Sequence, residues 1–256
     1  MSVTLLAVGD IVGKSGLEFL GKILRKLKSD KGADYTVVNG ENAANNGITP
    51  RQADEIFAAG ADVITLGNHT WGKREILPYL DDRDFIIRPL NFAPQTAGHG
   101  FCVVGDLCVV NLIGRCNMNF GPDNPFHAVE KVLKTRPAKY IVVDIHAEAT
   151  SEKLAMCYYL DGRVSAVFGT HTHVQTSDCR IFPKGTGYIT DLGMTGPVES
   201  VLGIRPEQSV SFFLGNPPER FATAPGICKI EGAVFRFSEE TGLCEHCESF
   251  RIQEGS

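Results

Sequence analysis

The sequence carries no excess of positive charge, no long apolar run and no cysteine framework. Each absence removes a class of function. Its 25 Lys and Arg against 30 Asp and Glu leave a net charge of -5, whereas a general nucleic-acid binder presents a basic surface. No stable nucleic-acid complex is expected, although a nucleotide is still possible as a small substrate. The one basic run, 22–31 (KILRKLKSDK), has helical apolar spacing and reads as the wet face of a helix. No segment approaches the roughly 18–20 apolar residues of a membrane span. The opening MSVTLLAVGD lacks a positive n-region and meets Asp10 before a signal-like stretch can form. A cytoplasmic protein without membrane partners is therefore expected. The eight cysteines are scattered, and Cys244 and Cys247 form a lone CEHC with no second pair at zinc-site spacing. They are read as reduced and mostly buried. No linker, low-complexity tract or repeat interrupts the chain, and 256 residues suit a single domain, 1–256, with a substantial core.

What the sequence has is an alternation of short apolar runs with helical patterns. Run 3–8 precedes helical spacing over 16–28, and run 35–38 precedes a helix through 59 that opens on Thr49-Pro50, a capping residue followed by a first-turn proline. Run 62–66 leads into a helix at 73–80, and 85–90 is a further strand. Residues 101–104 and 107–112 flank Gly105-Asp106 and predict a hairpin. Helices are then predicted at 125–135 and 151–160, the second with Ser151 as its cap, and strands at 140–145 and 164–168. The last third, with 188–190, 228–237 and 248–252, reads as strands. The class is α/β: a parallel-rich core with antiparallel strands that can build a second sheet.

The informative residues follow the apolar runs. Gly9-Asp10, Gly40-Glu41-Asn42, Gly67-Asn68-His69, His146 and Gly169-Thr170-His171-Thr172-His173 each stand at the exit of one. In open α/β sheets the carboxyl ends of the strands form the ligand crevice, so five parallel strands would bring these groups to one rim. The glycines allow close backbone approach, and residues two apart on an extended chain face the same side, which lets His171 and His173 serve one site. The candidate set is Asp10, Glu41, Asn42, Asn68, His69, His146, His171 and His173. It mixes oxygen with imidazole and omits sulfur; imidazole suits zinc, iron, nickel and copper, and carboxylate or carbonyl oxygen suits manganese and magnesium. A mononuclear site uses three or four protein ligands. This inventory fits two ions sharing a carboxylate, the device that clamps both oxygens of an in-line displacement at phosphorus. His99, His127 and His246 lack this placement and read as structural or solvent-facing. Glu148, Thr150 and Glu152 read as partners or caps rather than ligands. Arg115 is a candidate phosphate contact, and 116–125 (CNMNFGPDNP) a candidate flank of the pocket.

These motifs together resemble the calcineurin-like metallophosphoesterases. NGENAA (39–44), GNHTW (67–71), DIHAEATSEK (144–153), DGRVSAVFGTHTHVQT (161–176) and ITDLGMTGP (189–197) are similar to one branch, the YmdB-type phosphodiesterases of bacteria, in order along nearly the whole chain. The wider superfamily has Asp-x-His where Asp10-Ile11-Val12 stands here, and a bridging aspartate where Glu41 stands. Both departures are features of the YmdB-like branch, in which the asparagine at Asn42 is taken to replace the missing ligand. The resemblance implies a sandwich of two mixed sheets flanked by helices. It implies one metal on Asp10, Glu41, Asn42 and His173, and another on Glu41, Asn68, His146 and His171, with Glu41 bridging. His69 would be the proton donor to the leaving alcohol. Two ions, iron or manganese with zinc or magnesium as further options, would hydrolyse phosphodiesters, 2′,3′- and 3′,5′-cyclic nucleotides among them, by attack of a bridging hydroxide. Dimers or tetramers are expected.

Three other activities would fit parts of this pattern. A phosphomonoesterase shares the metal chemistry, and a nucleotide-binding regulatory protein with little turnover would be expected to lose His69 or a ligand. An amidohydrolase also uses His-x-His, but usually at the first strand of a barrel; here the pair follows Asp10 and Glu41.

Overall fold

The computed structural model describes residues 2–119 and 121–255. Its elements in chain order are β1 (Ser2–Val8), β2 (Asp10–Ile11), α1 (Gly13–Asp30), β3 (Tyr35–Asn39), α2 (Pro50–Ala59), β4 (Val63–Thr65), α3 (Ile76–Asp82), β5 (Ile86–Ile87), β6 (Phe101–Val104) and β7 (Leu107–Ile113). There follow α4 (Pro125–Thr135), β8 (Tyr140–His146), α5 (Thr150–Leu160), β9 (Ala166–Thr170), β10 (Arg180–Ile181), β11 (Gly187–Ile189), β12 (Met194–Pro197), α6 (Pro206–Phe213), β13 (Cys228–Ser238) and β14 (Cys244–Gln253).

Local chemistry accounts for most of these boundaries. The Thr49 hydroxyl accepts from the Gln52 amide in a capping box, Pro50 fills the first turn, and α2 stops at Gly60 with φ 118°. Gly105 turns the β6–β7 hairpin at φ 54°. Ser151 is not a cap: α5 begins one residue earlier, behind Ala149, and no side chain caps it. The basic run lies on the outside of α1, where Lys22, Lys28 and Lys31 pair with Glu254, Asp62 and Glu248. The opposite face buries Leu17, Leu20, Leu24 and Leu27.

The strands form two mixed sheets. One runs β2-β12-β13-β1-β3-β4-β5 with β14 also on β13, and the other runs β10-β11-β9-β8-β7-β6. The parallel strands are divided between them: β1, β3, β4 and β5 in the first, where β2 and β12 also pair in parallel, and β7, β8, β9 and β11 in the second. An apolar run announces a strand but not its neighbour, so the runs alone suggest one parallel core, whereas the two mixed sheets that the resemblance implies are what forms. Between the sheets pack Leu5, Ala7, Val37, Leu107, Val142 and Phe168. Leu6 and Val8, pointing the other way from β1, meet α1 and α2, while α4 and α5 cover the outer face of the second sheet. Strands buried on both faces read as continuous apolar runs rather than alternating ones. Among the described residues no helix is long and apolar enough to cross a membrane.

Candidate metal centre

The predicted strand exits come together at one end of the sandwich, from both sheets. Asp10, Glu41, Asn42 and Asn68 follow strands of the first sheet; His146 closes β8, and His171 and His173 follow β9. The contact between the sheets is close. A methyl group on Gly67 would lie 2.3 Å from the His146 ring and 2.4 Å from Glu41 Oε2, so any larger residue there would push these side chains aside. Gly169 likewise abuts the Thr190 carbonyl. These glycines give clearance, since neither has a positive φ.

Two groups of donors form around Glu41. His146 Nε2 lies 3.0 Å from Glu41 Oε1, 2.9 Å from Asn68 Oδ1 and 3.1 Å from His171 Nδ1. Ligand atoms of Glu41, His146 and His171 all fall within 4.8 Å of one another. On the other side His173 Nε2 lies 3.6 Å from Asp10 Oδ1 and 3.2 Å from Asn42 Nδ2, and Asn42 Nδ2 donates to Glu41 Oε1 at 3.1 Å. A half-turn of the Asn42 amide would present oxygen in place of nitrogen. Glu41 Oε2 accepts the His69 amide at 3.0 Å, which ties the candidate proton donor to the cluster through its backbone.

The surroundings aim the imidazoles inward. Thr170 Oγ1 gives its proton to Asp144 Oδ1 at 2.8 Å and so accepts from His146 Nδ1 at 2.9 Å, leaving His146 Nε2 to face the cluster. Thr65 Oγ1 donates to the other Asp144 oxygen at 2.5 Å. His173 Nδ1 donates to the Leu202 carbonyl at 3.0 Å, and Glu148 stands 3.3 Å from His171 Nε2. Beneath the histidine segment, Lys153 Nζ donates to the Thr170 carbonyl at 2.8 Å and to Asp191 Oδ2 at 2.7 Å. Glu148 thus acts as a partner, as expected, and Glu152 holds the Arg115 and Cys116 amides. Asp144, Lys153, Thr170 and Asp191 were not singled out in the sequence. The signal for Asp144 was there to see, a carboxylate in the middle of the apolar run YIVVDIH.

His171 and His173 do not converge by strand alternation. β9 ends at Thr170, and both histidines have positive φ, 100° and 62°. Such conformations cost on the order of 1–3 kcal/mol each in a non-glycine residue and collect at functional sites. The left-handed backbone sends the two rings to different groups of the cluster.

Electrostatics mark where positive charge is favoured. Burial works against charge on His173, but the adjacent Asp10 carboxylate prevails and lifts its pKa to about 9. Burial would raise the Asp10 pKa, yet His173, His146 and the His171 amide hold it well below the usual carboxylate range. His171 is pushed down to about 4, by burial first and then by His146. Burial also lifts Asp144 to about 6, against the Thr65 hydrogen bond. Asp10 Oδ1 is buried without a hydrogen-bond partner, an unused acceptor 3.6 Å from the His173 imidazole. A cation fits this donor set: oxygen and imidazole, buried, with anionic charge in excess at Asp10 and Glu41.

Arg115 follows β7 near the His146 end of β8, where the Gly114 amide donates to the His146 carbonyl at 2.9 Å, and among the described residues no contact joins its side chain to the cluster donors. It is exposed and lines a separate depression of about 410 Å³ with Cys116, Gly121, Asn124, Pro125, Phe126 and Glu152. Of the segment 116–125, Phe120 lies outside the described residues. His99, His127 and His246 are exposed, as anticipated.

Comparison with known proteins gives a consistent answer. The family model described as "YmdB-like protein" matches residues 6–250. The chain is 44% identical over 259 residues to the 2′,3′-cyclic-nucleotide 2′-phosphodiesterase of Bacillus subtilis (strain 168), over 98% of this chain and 97% of that protein. Among solved structures, a novel phosphatase from Mycoplasma pneumoniae superposes with a TM-score of 0.92 at 35% identity, covering 99% of this chain and 94% of the other. A hypothetical protein from Thermus thermophilus superposes with a TM-score of 0.91 at 38% identity, covering 98% and 100%.

Proposed function

The chain belongs to the YmdB-like family, and on that premise we propose that it is a cytoplasmic, metal-dependent phosphodiesterase of cyclic nucleotides. The observation that carries the reading is Glu41, a fully buried carboxylate set between two donor groups. Asp10, Glu41, Asn42 and His173 would hold one ion, and Glu41, Asn68, His146 and His171 a second; iron or manganese suits these donors, with zinc or magnesium as alternatives. Such ions supply charge for the phosphoryl oxygens and lower the pKa of water from about 15.7 towards 7.

The chain's own residues provide the remainder. His69, half-buried and tied through its amide to Glu41, would give its ring proton to the leaving ribose oxygen. Imidazole suits that task because its ordinary pKa, about 6.5, lies near neutrality. Thr170 and the Leu202 carbonyl hold the Nδ1 protons of His146 and His173, so that in the neutral form, which an ion would impose, both rings would present the Nε2 lone pair to the centre. The 2′,3′-cyclic nucleotides come first as substrates because the Bacillus subtilis relative is named for them; the 3′,5′-cyclic nucleotides rest on family resemblance. All eight cysteines are free, in keeping with a reducing compartment. Assembly into dimers or tetramers finds support in the exposed Val210, Phe212, Phe213 and Leu214 of α6 and its exit, and sedimentation as a monomer would remove that part.

The test is turnover by manganese- and iron-loaded protein of 2′,3′-cyclic AMP, 3′,5′-cyclic AMP, bis-p-nitrophenyl phosphate and p-nitrophenyl phosphate. Diester hydrolysis well above monoester hydrolysis is expected. Preference for the monoester would make the protein a phosphomonoesterase, and tight nucleotide binding without turnover would make it a regulatory binder.

A further inference from the structure

The two sheets end in short strands, β5 at one edge of the first and β6 at one edge of the second. The segments that carry them meet where Ile87 bridges His99, and the Arg88 amide donates to the His99 carbonyl at 2.9 Å. Between this seam and α4 lies a cavity of about 940 Å³, lined by Arg88, Phe85, Phe101, His99, His127 and Lys131 among others. That volume falls within the range of about 300–1,000 Å³ that small-molecule sites occupy. None of the donors of the metal centre lines it.

Arg88 sets the chemistry of this cavity. It is 5% exposed and makes no ion pair among the described residues. Burial pushes its pKa down, and no carboxylate opposes the shift. Nη1 donates to the Pro89 carbonyl at 2.9 Å and the Leu90 carbonyl at 3.4 Å, but Nη2 reaches only the Thr96 carbonyl, at 3.5 Å. Nε is buried with no partner at all. Nε and Nη2 form one edge of the guanidinium, the fork that takes a phosphate or carboxylate through two parallel bonds. The edge best suited to an anion is thus the one the protein uses least. The carbonyls fix the side chain without cancelling its charge, and a buried charge is ordinarily paired. The acids of the lining, Asp84 and Asp123, are exposed, and Asp84 Oδ1 lies 3.9 Å from His99 Nε2. Water screens charges so placed, and Lys131 adds an exposed cation to the same lining. Phe85 and Phe101 are exposed as well, two aromatic rings against which a planar ligand can stack.

We propose that this cavity binds a nucleoside monophosphate, with the phosphate on the Nε–Nη2 edge of Arg88 and the base against Phe85 and Phe101. A phosphate matches the fork and pairs the buried cation. Stacking on an aromatic ring accepts any base, since each has a π-face. The choice of a nucleotide over other aromatic anions rests on the proposed activity, whose product is a nucleoside monophosphate. The site itself rests on Arg88 and the cavity. It gives the protein a second place to hold that product, with a lining that shares no residue with the metal centre.

The experiment irradiates the manganese-loaded protein with azido-AMP and maps the labelled tryptic peptides by mass spectrometry. Cleavage after Arg83 and Arg115, with none at Arg88 before Pro89, releases 84–115 as one peptide, which holds Phe85, Arg88 and Phe101 and no donor of the metal centre. Saturable label is expected within 84–103. Excess AMP should prevent it, and adenosine or inorganic phosphate at the same concentration should not. Arg88→Gln should raise the half-saturating concentration about 10–100-fold. Phe101→Ala, a change at an exposed ring, should raise it on the order of tenfold. Label confined to the peptides of the metal centre, equal protection by adenosine or by phosphate alone, or half-saturation unchanged by Phe101→Ala would overturn the proposal. Wild-type labelling and Phe101→Ala decide the matter even where Arg88→Gln fails to fold. The outcome is separable from that of the turnover assay. Absence of label in 84–103 from protein that hydrolyses cyclic AMP removes this site alone, whereas label there in protein without turnover removes the proposed reaction alone.

Discussion

Replacing Lys153 with methionine removes one half of an ion pair sealed from water. The Lys153 and Asp191 side chains are 0% and 1% exposed and 2.7 Å apart. Methionine keeps the stem that lies beside Gly169 but leaves the Asp191 carboxylate with only the Gly193 amide at 2.9 Å and the Thr172 amide at 3.2 Å. Breaking a buried pair from one side costs about 3–5 kcal/mol, because an uncompensated charge stays behind. At about 2–4 °C per kcal/mol for a chain of this size, the melting temperature should fall by about 6–20 °C. Lys153→Met combined with Asp191→Asn should recover most of the loss, since no buried charge then remains. The pH dependence has a definite sign. Burial raises the Asp191 pKa and Lys153 opposes it, so without Lys153 it goes higher still. A carboxyl whose folded pKa lies above its ordinary value of about 3.9 favours the folded state while protonated. The deficit of the variant should therefore grow as pH rises through that raised pKa and shrink on the acid side. Urea denaturation of both proteins at about pH 5 and about pH 8 measures it. A deficit under about 1 kcal/mol at both values, or a larger one at the acid value, would refute the reasoning.

His69→Ala should lower kcat by about 10²–10⁴-fold with metal content unchanged by elemental analysis; a metal-free variant would remove the proton-donor role. Glu41→Gln should lose both ions and Asp10→Asn only one, and two ions retained by Glu41→Gln would exclude a shared carboxylate. Gly67→Ala, whose methyl group would sit 2.3 Å from the His146 ring, should fold yet bind metal on the order of 10–100-fold more weakly, measured by competition with a chelating dye. Addition of manganese at about 100 times its Kd should stabilise the stripped protein by about 2.7 kcal/mol, and an unchanged melting curve would argue against a built site.

Much of the candidate centre was legible because its donor residues sit at strand exits, where an apolar run stops and a polar residue breaks the pattern. Asp10, Glu41, Asn68, His146 and His171 all announce themselves in that way. The partition of the parallel strands between two sheets was implied by the family motifs but not by periodicity, since apolar periodicity records burial and not pairing. The way His171 and His173 reach their places was hidden: alternation predicts a shared face, and the backbone is left-handed instead. Lys153 and Asp191 gave no local signal, because a lysine in a helix and an aspartate in a loop are ordinary until tertiary packing buries them together.

The division of donors between two sheets has a consequence for biosynthesis. Up to residue 68 the growing polypeptide offers only the oxygen donors of Asp10, Glu41, Asn42 and Asn68, and the imidazoles arrive with His146, His171 and His173. A nascent fragment is thus a poor chelator of imidazole-preferring cations. Such an ion should be captured only after the later half has docked onto the earlier one, so that loading follows folding and marks its completion.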